Sequence, residues 1–167
     1  MSIPSEEQKE PFLEKGGPGW WKKKVLPLFV GSPDPARDAL SFAVGVACAF
    51  LPPFGFHSLL VAGIAYLFRL SLPIGLLGSW TNNPWTFVPV FLPAYFAEVR
   101  IGERLLGVTA PIPTLSTLSK MPESVLLSQI KQVLVPFFLG SAVVSACAFL
   151  LALPTVYGAI LWLKRPR

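Results

Sequence analysis

Few side chains in this sequence are equipped for chemistry, and most of those few lie at breaks between apolar segments. His57, the single histidine, ends the run Pro52-Pro53-Phe54-Gly55-Phe56-His57. An imidazole there can take a proton, hydrogen-bond a polar solute or contact an anionic headgroup. The plainer role is a helix-start residue satisfied by a neighbouring carbonyl. Asn82, Asn83 and Thr86 lie within Trp80-Thr81-Asn82-Asn83-Pro84-Trp85-Thr86. Their side chains suit a polar ligand or ion, and equally the open backbone of a broken helix. Asn83 before Pro84 is the pattern of a helix cap and first helical residue. Capping accounts for Asn83 but not equally for Asn82 and Thr86, so a polar pocket stands as the competing expectation. Arg69 is the one formal charge between Ala39 and Ala97, with no acid in that run to neutralise it. It either snorkels to an interface or binds carbonyls or a phosphate inside the protein.

Familiar enzyme constellations are missing: no paired carboxylates, no Ser/His/Asp set, no glycine-rich phosphate loop after a strand, no HExxH. Cys48 and Cys147 sit in apolar segments without CxxC or Cys/His spacing. They read as small buried hydrophobes rather than metal ligands. No cofactor is expected, and catalysis is disfavoured.

Composition sets the solvent for these residues. Hydrophobic residues make up 53% of the 167 and charged residues 14%, with a mean hydropathy of +0.59. Soluble domains carry about 25% charged residues, so an integral membrane protein is expected. The net charge of +5 does not point to nucleic acid. Six basic and six acidic residues cancel up to Asp38. The excess comes from Arg69, the middle loop and Lys164-Arg165-Pro166-Arg167, as on the cytoplasmic flank of a membrane segment.

The elements follow from the breaks. Residues 1–24 read as a polar, partly disordered cytoplasmic tail ending in a Trp20-Trp21-Lys22-Lys23-Lys24 interfacial anchor. This N-terminus lacks the short basic start of a signal peptide. Residues 25–167 read as one membrane domain. A helix is expected over 36–51, capped by Ser32 or Asp34 with Pro33 or Pro35 at its first position. Its Ser41, Gly45 and Ala49 share a small-residue face suited to close packing in lipid. Further apolar pieces cover 58–70, 73–79 and 84–97, separated at Pro52, Pro53, Gly55, Pro73 and Pro84. All fall short of the roughly 20 residues of a straight crossing. They are therefore expected to be broken or re-entrant hairpins, with breaks facing each other and Arg69 between them. A loose helix–break–helix repeat links 39–70 with 73–97.

Glu98–Arg104 is read as the polar exit of the fourth piece. There Glu98 finds only Gly102 four residues on, while Arg100 and Glu103 can pair on a helix. A loop over 109–121 and an amphipathic helix over 122–133 precede an uncharged stretch, 133–163, expected to be one span kinked at Pro154. Both ends are then cytoplasmic, and the 98–131 loop is outside despite its basic residues.

The string Ser32-Pro33, Ala43-Val44-Gly45-Val46, Pro53-Phe54-Gly55-Phe56-His57, Arg69-Leu70-Ser71, Asn83-Pro84-Trp85-Thr86 and Pro93-Ala94-Tyr95 resembles a bacterial membrane family, domain of unknown function 2062. The resemblance spans Val25 to the final apolar stretch. That family usually has Gln at the place of His57 and Asn at the place of Ser71. The resemblance implies a bacterial inner-membrane protein and supplies no activity.

The expectation is thus an all-α, multi-pass protein of the bacterial cytoplasmic membrane. It handles a small solute or a lipid, presenting His57, Asn82, Asn83 and Thr86 near mid-bilayer, with helix N-termini favouring an anion. The alternative is a non-catalytic structural or assembly subunit of a larger membrane complex. Its partners are membrane lipids and a second copy or larger complex, not nucleic acid.

Overall fold

The computed structural model describes residues 25–52, 56–109 and 122–165, and every regular element among them is helical. After a short helix α1 (Leu26–Val30), the Asp34 side chain accepts the backbone N–H of Arg37 at 3.0 Å and starts α2 (Pro35–Ala49). Pro35 takes the first helical position, where its missing N–H costs nothing. Of the two expected caps, Asp34 serves.

The chain returns along α3 (His57–Phe68) and turns on Arg69, the one non-glycine at positive φ (54°) among the described residues. It then runs alongside α2 again as α4 (Leu72–Ser79). The Ser71 N–H donates to Ser41 Oγ at 2.9 Å, and Ser41 Oγ donates to the Arg37 carbonyl at 2.6 Å. The fit of α2 to α4 is backbone on backbone. A Cβ at Gly45 would stand 2.0 Å from the Gly75 carbonyl oxygen, so only glycine passes. Ser41, Gly45 and Ala49 are all buried, as their shared face predicts.

A three-residue turn α5 (Pro84–Thr86) leads through a π-helical turn (Phe87–Phe91) into α6 (Leu92–Leu106). Pro89 lies inside the π turn and cannot donate to the helical ladder. The helix does not stop at 97 with the apolar residues. It carries Glu98–Arg104 as two further turns, because their buried face is still needed against the last helix. As expected, Arg100 pairs with Glu103 at 2.9 Å.

That last helix, α7 (Glu123–Leu163), has 41 residues and passes through Pro136 and Pro154 without interruption. The expected amphipathic helix and apolar span are therefore one element. Its Ile130–Leu163 portion, 34 residues, is the one helix among the described residues long and apolar enough to cross a membrane. At 1.5 Å per residue that is about 51 Å, against a hydrocarbon core of about 30 Å.

Both α2 and α6 pack on α7, and both run antiparallel to it. Ser145 Oγ donates to the Ala47 carbonyl at 2.6 Å, and Lys164 Nζ donates to the Ser32 carbonyl, which fixes α2 on the C-terminal half of α7. Gly102 abuts Pro136 and Gly140 abuts Glu98, which fixes α6 on the N-terminal half. So α2 and α6 lie end to end along one long helix. Their joint is filled by Ala49, Phe91 and Tyr95, with Phe50, Phe87 and Phe137 around them.

Cys48 is buried as expected, but Cys147 is exposed. It lies on α7 away from the α2 and α6 contacts, so apolar surroundings in sequence did not mean burial in the fold. The Trp20–Lys24 anchor, Pro53, Gly55 and most of the 109–121 loop lie outside the described residues.

Candidate functional site: the joint between two half-helices

A helix leaves its last carbonyls without intrahelical donors. Pro52 and Pro53 forbid α2 from continuing, so its final turn must find donors elsewhere. It finds three, from three parts of the chain. Ala47 O accepts Ser145 Oγ from α7, in addition to the Phe50 N–H at 3.2 Å. Ala49 O accepts Asn82 Nδ2 from the third break at 3.1 Å. Leu51 O accepts His57 Nε2 from the first break at 3.1 Å, which places the ring proton on Nε2. Asn82 uses its second amide hydrogen on Tyr95 OH, also at 3.1 Å, tying the end of α2 to α6.

The third break is closed just as fully. Asn83 Oδ1 accepts the N–H groups of Trp85 (2.9 Å) and Thr86 (3.1 Å), while Thr86 Oγ1 accepts the Asn83 N–H at 3.0 Å. This reciprocal capping box starts α5. Thr86 Oγ1 also donates to the Thr81 carbonyl, and Asn83 Nδ2 donates to the Trp80 carbonyl at 3.1 Å. Thr86 thus has a capping role that the Asn83-Pro84 pattern alone did not disclose.

The fold brings His57, Asn82, Asn83 and Thr86 to this joint, with Pro52 buried beside it and Pro84 opening the next helix. Arg69 is not there. It sits at the far end of α3, exposed, near the level of Ser41 and Ser71 and towards the end that carries Arg37 and Lys164. The first and third breaks meet; the second, with Arg69 and Pro73, lies at the opposite end because α3 runs back along α2.

Beside the joint a recess of about 420 Å³, largely open at the surface, is lined by Asn82, Asn83, Pro84 and Phe87. Both amide hydrogens of Asn82 are spent on protein acceptors, which leaves Oδ1 as the group able to receive a donor from a ligand. Among the described residues no three His, Cys, Asp or Glu side chains gather as a metal site would need.

The fold adds Tyr95, Ser145 and Glu98 to the polar residues expected at or near the joint. Glu98 is 0% exposed, and neither carboxylate oxygen has a hydrogen-bond partner among the described residues. The signal was an acid four residues before a glycine with no basic partner on its own helix face. Ser145, by contrast, stands in an apolar stretch where a lone serine is unremarked.

A family model for domain of unknown function 2062 (DUF2062), described as an uncharacterized protein conserved in bacteria, matches residues 19–167, and the chain belongs to that family. No curated protein and no solved structure matches it.

Proposed function

We propose that this member of the DUF2062 family is a multi-pass protein of the bacterial cytoplasmic membrane that handles a small polar solute or a lipid headgroup at the α2–α6 joint. The open recess lined by Asn82 and Asn83 at the surface of the joint supports this reading. In hydrocarbon, broken backbone persists only where protein or a wet cavity satisfies it. The carbonyls of α2 are satisfied by protein, so a cavity beside them is not required by the break itself. A recess lined by two asparagines suits the hydroxyl or ammonium donor of a solute or headgroup.

The surface supports a lipid setting. Leu59, Tyr66, Leu67 and Phe68 of α3 are largely exposed, as are Leu150, Leu151 and Trp162 of α7. Helices α2 and α3 have 15 and 12 residues, about 22 and 18 Å, too short for a straight crossing. We read them as a re-entrant pair, and Arg69 as snorkelling to the interface at its open end.

Reconstitution tests the reading. In vesicles bearing a phospholipid with a fluorescent headgroup, or enclosing a small labelled polyol, the wild-type chain accelerates movement of one of them. Asn82→Ala reduces that rate without loss of folded protein. Rates equal to protein-free vesicles for both probes would overturn the proposal.

The second reading, a structural or assembly subunit, draws on the same exposed apolar face of α3. The small-residue face that would best serve such contacts is already buried inside the chain, at Ser41, Gly45 and Ala49. A stoichiometric partner retained in mild detergent would favour it.

A further inference from the structure

The contact between α6 and α7 is closed by backbone at two levels. A Cβ on Gly140 would stand 1.7 Å from the Glu98 carbonyl oxygen, and one on Gly102 would stand 1.8 Å from that of Pro136. Glu98 therefore has α7 backbone pressed against its own main chain, and it is 0% exposed. Both carboxylate oxygens are buried, and neither has a hydrogen-bond donor among the described residues.

A buried carboxylate needs a positive or donating partner, because the ionised group is otherwise stripped of water without compensation. The charged and titratable groups around it are occupied or turned away. On its own helix, Arg100 is bound to Glu103 and its side chain is largely exposed, Arg104 is exposed, and Tyr95 one turn back accepts from Asn82 while its hydroxyl makes no hydrogen bond to Glu98. Among the described side chains of α7, Lys131, Cys147 and Tyr157 are exposed, and Lys164 binds the Ser32 carbonyl at the opposite end. A metal ion would need several oxygen ligands and room for them, and no water-sized space touches these atoms. The occupant that fits is smaller than water.

We infer that Glu98 is a proton-binding site in the α6–α7 seam, occupied while the seam is closed. The chemistry is a transfer without redox change: a proton from bulk water adds to one carboxylate oxygen and gives the neutral acid. The reverse step returns that proton to bulk water. The neutral acid spares the α6–α7 seam the cost of an unpaired buried charge. The inference does not depend on solute handling at that joint and applies equally to a structural subunit.

Infrared spectroscopy of the full chain in lipid tests this. At neutral pH the wild type is expected to show a protonated carboxylic C=O band that moves on ¹³C labelling of glutamate, is lost in Glu98→Gln and persists in Glu103→Gln. Should Glu98→Gln fail to fold, Glu98→Asp serves: its band shifts away from the wild-type position and no longer responds to glutamate labelling. A wild-type spectrum without the band, or a labelled-glutamate band that survives in folded Glu98→Gln or Glu98→Asp, would overturn the assignment.

Discussion

Asn82 Nδ2 lies 3.1 Å from the carbonyl oxygen of Ala49, a residue 33 positions earlier, and the same amide reaches Tyr95 OH. One side chain thus closes the open end of α2 and binds it to α6. Replacing Asn82 with Ala removes both bonds and leaves a helix-end carbonyl short of a donor. The expected loss is about 1–3 kcal/mol, read as a fall of several degrees in the thermal midpoint of the detergent-purified chain. Asn82→Asp, which keeps the shape but not the amide donors, is expected to fare no better.

The α6–α7 seam makes a sharper demand. Gly140→Ala and Gly102→Ala would each drive a methyl into opposing backbone, at 1.7 and 1.8 Å. Each is expected to cost at least about 1–3 kcal/mol and to reduce the monodisperse fraction on size exclusion. Gly63→Ala in the middle of α3, with nothing within 4 Å of its Cβ, is the control. It is expected to stabilise by about 0.5–1 kcal/mol through helix propensity.

At the start of α5, Thr86 both receives the Asn83 N–H and donates to the Thr81 carbonyl. Thr86→Val keeps the shape and loses both, costing about 1 kcal/mol as caps generally do, whereas Thr86→Ser keeps them. Chemical denaturation midpoints for the two variants check the difference.

The second break tests what Arg69 is for. Its φ of 54° is costly for a residue with a Cβ, by roughly 1–2 kcal/mol. Arg69→Gly and Arg69→Ala both remove the charge, but only glycine relieves that strain. Thermal midpoints in lipid nanodiscs should then rank Gly above Ala. Equal midpoints would mean that the turn is indifferent to backbone strain, and Ala above Gly would contradict the ranking.

Much of this was legible from the residues alone. The Ser32–Pro35 turn and Asn83-Pro84 announced two helix starts, though not which of Ser32 and Asp34 caps the first, because a capping side chain and a proline act locally, within four residues. The Ser41, Gly45 and Ala49 face was legible because helical periodicity is local too. What could not be read was who meets whom across distance. The pairing of Ala49 with Asn82, and of Glu98 with Gly140, depends on α2 and α6 being laid end to end along α7, and nothing in any one segment encodes that. Arg69 was misplaced for the same reason: its position follows from the direction in which α3 returns. The continuation of α6 to Leu106 was hidden because charge marked an exit where one face was still buried.

The most direct test of the central claim, a water-reachable polar joint at membrane depth, is thiol accessibility in native membranes. In a chain with Cys48 and Cys147 replaced by Ala, Pro84→Cys at the cavity wall is compared with Leu67→Cys on the exposed apolar face of α3. A membrane-impermeant thiol reagent is expected to modify Pro84→Cys and to spare Leu67→Cys, which reacts only with a lipid-soluble one. Protection of Pro84→Cys in membranes, with full reactivity after denaturation, would contradict it.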